Sequence, residues 1–131
     1  MSLGTPDDMA HRARIVRETR SVAVVGASAN ESRASYFVST YLLASTDYDV
    51  YFVNPAATRI LGRPVYPSLA DLPVVPDLVD VFRRPSELEE ALNETIKVGA
   101  KTFWLQLELT DEAIEQRAAD AGLQVVSDRC L

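Results

Sequence analysis

The chain holds one histidine and one cysteine in 131 residues. That is too few for a structural zinc site built from Cys and His, and it rules out an intramolecular disulfide. His11 lies in the leading segment, far in sequence from the loops that follow the strands, so no Ser-His-Asp or Cys-His pair can be assembled there. The lone Cys130 points to a reducing compartment. No run reaches the roughly 18 apolar residues of a membrane span. The first 20 residues are polar and lack the apolar stretch of a secretory signal. The expected location is the cytoplasm, with no membrane partner.

Positive charge is also short. The net charge is -6 and the pI about 4.7, which opposes binding to nucleic acid, since that rests on Lys and Arg neutralising phosphates. The distribution refines the total. Residues 1–86 are neutral, with nine acids and nine bases, and every base there is Arg. Residues 87–120 carry the whole imbalance, nine acids against three bases. An anionic small ligand therefore remains compatible with the first part of the chain. The acidic part reads as a solvated face.

What is present is a core. Hydrophobic residues make up 47% and charged residues 24%, within the globular range, and the length suits one domain. Pro6-Asp7-Asp8 suits a helix start, and residues 1–20 read as a leading helix ending near Glu18. Residues 21–131 form the domain proper. Ser21–Val25 is a continuous apolar run, as expected of a strand buried on both faces of a parallel sheet. Helix follows over about Ser35–Ala44, with Phe37, Val38, Tyr41 and Leu42 as its inward face. Further strands are expected at Asp49–Val53, Pro64–Tyr66, Leu78–Phe82, Thr102–Leu105 and Gln124–Val126. Turns of helix are expected near Ala57–Leu61 and Ser68–Leu72. Ser86 and Glu89 have capping-box spacing before a helix whose inward face is Leu88, Leu92 and Ile96, and which Gly99 ends. Thr110 is the expected cap of a last helix ending at Gly122.

Strands alternating with helical crossovers predict an α/β fold: a Rossmann-like, doubly wound, mostly parallel sheet of five or six strands in a single domain. Ligands bind such sheets outside the carboxyl ends of the strands, where the strand order reverses. Four strand ends thus carry the candidate site. After the first come Gly26, Ala27 and Ser28, then Arg33 and Ser35, a set of small residues, hydroxyls and one charge that suits phosphate at a helix N-terminus. The G-x-G-x-x-G fingerprint is absent. The second strand ends in Asn54-Pro55, where a classical NAD site has an acid for the ribose hydroxyls. The next runs into Phe82-Arg83-Arg84, which suits polyphosphate, or else a solvated loop. Trp104 reads either as core packing or as a ligand wall, and Gln106 follows at the strand end.

Several pieces together resemble the small stand-alone CoA-binding proteins, whose domain is shared with the N-terminal part of the succinyl-CoA synthetase alpha subunit. They include Val24-Val25-Gly26-Ala27-Ser28, Arg33-x-Ser35-Tyr36, Val53-Asn54-Pro55, Val79-Asp80-Val81-Phe82-Arg83, Trp104-Leu105-Gln106 and Asp128-Arg129-Cys130. No single piece is diagnostic; their order and spacing are. The resemblance implies a non-catalytic protein that binds coenzyme A or acyl-CoA across the strand ends. By it, Gly26, Ala27 and Ser28 line the phosphate loop, with Arg33 and Ser35 nearby. Asn54 and Pro55 border the nucleotide half. Val81, Phe82 and Arg83 form a further wall, and Trp104 and Gln106 lie nearest the pantetheine arm. The synthetase's phosphohistidine belongs to a separate domain, and its ligase chemistry is not carried over. Relatives often have Gly where this chain has Glu108, and a carboxylate facing the pocket would repel the CoA phosphates. The alternative is an NAD(P)-type enzyme or redox sensor on the same fold.

Overall fold

The computed structural model describes residues 9–131, so the expected helix start at Pro6-Asp7-Asp8 lies outside the described residues. Seven strands form one sheet: β1 (Ser21–Val25), β2 (Asp49–Val53), β3 (Arg59–Ile60), β4 (Arg63–Tyr66), β5 (Leu78–Val81), β6 (Thr102–Leu105) and β7 (Gln124–Val126). Their order is β3-β4-β2-β1-β5-β6-β7, and only the β3–β4 pair is antiparallel. The helices are α1 (Met9–Glu18), α2 (Ala34–Ser45), α3 (Leu88–Val98) and α4 (Glu112–Asp120).

β1, β5 and β6 are buried along their whole length, as expected of central parallel strands rich in apolar residues, and the burial extends to the one charged residue among them, Asp80 of β5. Two apolar layers result. On one face Val25, Val79, Val81, Phe103 and Leu105 pack under Leu88 and Leu92 of α3 and Ile114 of α4. On the other, Val22, Val24, Phe52 and Leu78 pack under Ile15 of α1 and Val38 and Leu42 of α2. Helices on both faces make the sheet doubly wound.

The chain winds outward from β1 to β2, then returns to the other side of β1 to form β5. The strand order reverses between β1 and β5. Gly26 stands at this point with φ +87°, donating its N–H to Val53 O at 2.9 Å, while Phe82 N donates to Val25 O at 2.8 Å.

Five local expectations are corrected. The segment expected as a turn of helix near Ala57–Leu61 instead holds β3, which raises the strand count to seven. On α2 the inward stripe is Ser35, Val38, Ser39 and Leu42, while Phe37 and Tyr41 are exposed. On α3 Thr95 is buried and Ile96 exposed, and a 3-10 turn (Pro85–Glu87) precedes the helix, so the cap pairs Arg84 N with the Glu87 carboxylate instead of Ser86 with Glu89. Asp111, not Thr110, caps α4, its carboxylate accepting from Ile114 N at 3.1 Å.

Candidate functional site

A cleft of about 1090 Å³ opens over the carboxyl ends of the strands. It crosses four of them in spatial order, with Asn54 after β2, Gly26 after β1, Phe82 after β5 and Gln106 after β6. At roughly 4.8 Å between neighbouring strands, that is a span of about 14 Å.

The loop after β1 is shaped by its own side chains. Asn30 is its organiser: its side-chain Oδ1 accepts from Ser32 N at 3.0 Å and Ser32 Oγ at 2.7 Å, and its backbone N–H donates to Ser28 Oγ at 3.0 Å. Such Asx turns fix a loop without regular structure. The loop then delivers Arg33, exposed, to the first position before α2, and Ala34 and Ser35 at the helix N-terminus line the cleft. Free N–H groups and the positive end of a helix dipole favour an anion there.

Gly26 lets two backbones meet. A Cβ built on it would sit 2.0 Å from Phe82 O. Only glycine permits both this approach and the positive φ. Asn54 is braced at both ends: Nδ2 donates to Ala27 O at 2.7 Å, and Oδ1 accepts from Ala56 N at 2.8 Å. Arg83 and Arg84 both line the cleft, with Arg84 3.6 Å from Glu87 in an exposed pair of the kind that contributes little to stability.

At the far side Gln106 is buried, and its Nε2 donates to Asp80 Oδ1 at 2.7 Å and to Arg129 O at 3.3 Å. Because the Arg129 carbonyl only accepts, this contact fixes which end of the amide is nitrogen. Asp80 is fully enclosed, and burial pushes its carboxyl well above the usual carboxylate range. Cys130 lines the same end of the cleft. Partial burial, and secondarily the charge of Asp80, push its thiol up.

Of the residues expected from sequence, Gly26, Ser28, Arg33, Ser35, Asn54, Val81, Phe82, Arg83 and Gln106 line one cleft. Three do not. Ala27 is turned into the α1–α2 layer, with no exposed surface. Pro55 is exposed outside the cleft. Trp104 resolves to core packing: it is 2% exposed, and its indole N–H donates to Arg129 O at 2.8 Å, pinning the C-terminal segment. Sequence reasoning missed Phe37 and Leu107, both exposed apolar groups on the cleft wall. Their signal was exposure itself, which periodicity does not report. Among the described residues no group of three His, Cys, Asp or Glu could hold a metal ion.

Comparison with known proteins decides the family. The family described as a CoA binding domain matches residues 20–131. The chain belongs to the CoA-binding domain family. YneT of Bacillus subtilis (strain 168) is 32% identical over 117 residues, covering 89% of this chain and 86% of YneT. A protein from Pyrococcus horikoshii OT3 superposes with a TM-score of 0.89 at 35% identity, covering 99% of this chain and 92% of that one. A Thermus thermophilus protein (cell-free ID.343) gives 0.87 at 32% identity, covering 95% and 93%. The family's domain accounts for the whole sheet described here, from β1 to β7.

Glu108, which also lines the cleft, has φ +69° and donates its N–H to Asp128 Oδ1 at 2.6 Å. A side chain in that region costs about 1–2 kcal/mol relative to glycine. Glu108→Gly is therefore expected to raise the thermal midpoint and, by removing a carboxylate from the cleft wall, to tighten binding of a polyphosphate ligand. Differential scanning fluorimetry with and without CoA checks both.

Proposed function

We propose that the cleft binds coenzyme A or an acyl-CoA and performs no chemistry on it. Family membership supports a CoA-type ligand, and the observation that carries the reading is the shape and polarity of the cleft. It is one continuous trough across four strand ends, with cationic and N–H-rich features at the β1–α2 side and a buried amide and a thiol at the β6 side. A ligand with a polyphosphate and a long, mostly uncharged arm matches that polarity. The volume sits at the upper end of small-molecule sites.

In this reading Ser28, Ser35, the α2 N-terminus and Arg33 take the phosphates, with Arg83 adding charge. Phe82 and the exposed Phe37 and Leu107 offer apolar surface to the adenine or the arm. Gln106 donates through its amide nitrogen to Asp80 and to Arg129 O, and in this reading its carbonyl oxygen accepts from an amide N–H of the pantetheine arm.

The NAD(P) alternative is not favoured. At the position where a carboxylate would hold the ribose hydroxyls stands Asn54, whose amide is spent at both ends on bracing its loop. Equilibrium titration with CoA, NAD and ATP in parallel tests the reading, with one CoA per chain expected.

A further inference from the structure

We propose that Asp80 is a positioning residue for ligand recognition: from beneath the cleft it holds the amide nitrogen of Gln106, which turns the Gln106 oxygen to the ligand and makes the β6 end select an arm with an amide N–H donor. The inference rests on the CoA reading above and names the residue that sets the polarity of the arm-binding end.

Asp80 sits on β5 between Val24 of β1 and Trp104 of β6, with no exposed surface. Pleat alternation puts it on the same face as Leu78, in the apolar layer that also holds Val24 and Trp104. A carboxyl group in such a layer costs free energy unless hydrogen bonds satisfy it. Only one of its oxygens is satisfied among the described residues. Oδ1 accepts from Gln106 Nε2 at 2.7 Å, while Oδ2 is enclosed without a partner. Burial favours the uncharged form, so Asp80 serves as a hydrogen-bonding group and not as a counter-ion. An apolar side chain would fill this place at less cost. Buried polar atoms without partners are rare enough that each needs a reason beyond folding.

That reason lies in its single bond. Gln106 is buried, yet it lines the cleft, so it joins Asp80 to the ligand face. Its Nε2 lies against two acceptors, Asp80 Oδ1 and Arg129 O at 3.3 Å, and the bond to Asp80 is the short one. A glutamine amide has a donor end and an acceptor end. With the nitrogen drawn inward, the oxygen is the end left over, and no described residue donates to it. Trp104 Nε1 donates to the same Arg129 O at 2.8 Å, which fixes the second acceptor in place. A site that offers one oriented acceptor rewards a ligand with a donor there and rejects one without it.

The test separates the arm from the nucleotide. The unaltered protein, Asp80→Leu and Asp80→Asn are titrated with CoA and with ADP, which has the adenosine and diphosphate but no arm. Asp80→Leu is expected to weaken CoA roughly five- to tenfold, the worth of one neutral hydrogen bond, and to leave ADP unchanged. Asp80→Asn keeps an oxygen that accepts from Gln106 Nε2, and is expected to restore most of the CoA affinity. Gln106→Met should weaken CoA as much as Asp80→Leu does, and the double variant no more than either, because the two residues act as one unit. Should Asp80→Leu fail to fold, Asp80→Ser, too short to reach Gln106, replaces it with the same expectations. Parallel losses for CoA and ADP, unchanged CoA affinity, or additive losses in the double variant overturn the proposal; CoA still binds the unaltered protein in each case, and the CoA reading stands. No binding of CoA by the unaltered protein sinks that reading and the proposal together.

Discussion

Replacing Gly26 by alanine is expected to lower the thermal unfolding midpoint by roughly 10 °C and to abolish ligand binding. The new Cβ would lie 2.0 Å from Phe82 O and 2.9 Å from Phe82 C, both backbone atoms. No rotamer relieves such a contact, so the ends of β1 and β5 must part. That breaks the ladder where Phe82 N meets Val25 O and deforms the floor of the cleft. The φ of +87° adds the ordinary cost of an L-residue in that region. Together these exceed about 3 kcal/mol, among the larger effects of a single substitution. Gly62→Ala is the matched control: its φ is +75°, and nothing lies within 4 Å of the added carbon. It should pay only the dihedral cost, about 1–2 kcal/mol. Thermal scans of both variants separate the contact from the dihedral, and equal losses would mean that the close approach of Gly26 to Phe82 does not matter.

Arg33→Ala is expected to weaken CoA binding by roughly ten- to a hundredfold while leaving the thermal midpoint of the free protein unchanged. The guanidinium is exposed at the cleft edge, beside the N-terminus of α2. A hydrogen bond to a charged group contributes about 1.5–3 kcal/mol. Arg59→Ala removes the same charge from outside the cleft, where that side chain donates to Gly62 O at 2.6 Å. Equal weakening by the two variants would make the effect one of overall charge and remove Arg33 from the site. Raising the salt concentration should narrow the gap between the free and Arg33→Ala proteins, because screening acts on the same interaction.

The sheet was legible because its central strands are buried on both faces, and a buried strand announces itself as an apolar run such as Ser21–Val25. The strand ends followed from it, and with them nine of the expected lining residues. What was not legible turned on side-chain direction at single positions. On α2 apolarity pointed to Phe37 and Tyr41, yet the stripe at 35, 38, 39 and 42 faces the sheet, because two serines there are small enough for close packing. That choice frees Phe37 for the cleft wall. Trp104 alternates with Phe103 and Leu105 on β6, and the layer it joins depends on where the C-terminal segment lies, which no local pattern states. The cap of α3 slipped because Pro85 starts a 3-10 turn two residues early, so Arg84 and Glu87 take the places expected for Ser86 and Glu89. Two-residue β3 is too short to show any period. Glu108 was visible as a departure from glycine, but its meaning needed the φ of +69° that makes glycine the easier residue there.

Isothermal titration of the full chain with CoA, and in parallel with NAD and ATP, tests the central claim most directly. CoA is expected to saturate one site per chain. NAD is expected to bind at least about tenfold more weakly, since Asn54 offers no carboxylate to the ribose and each lost charged hydrogen bond is worth about 1.5–3 kcal/mol. ATP should fall below CoA as well, because it leaves the Gln106 end of the cleft unfilled. Absence of heat with CoA at millimolar concentration, or tighter binding of NAD than of CoA, would contradict the assignment of the cleft to coenzyme A.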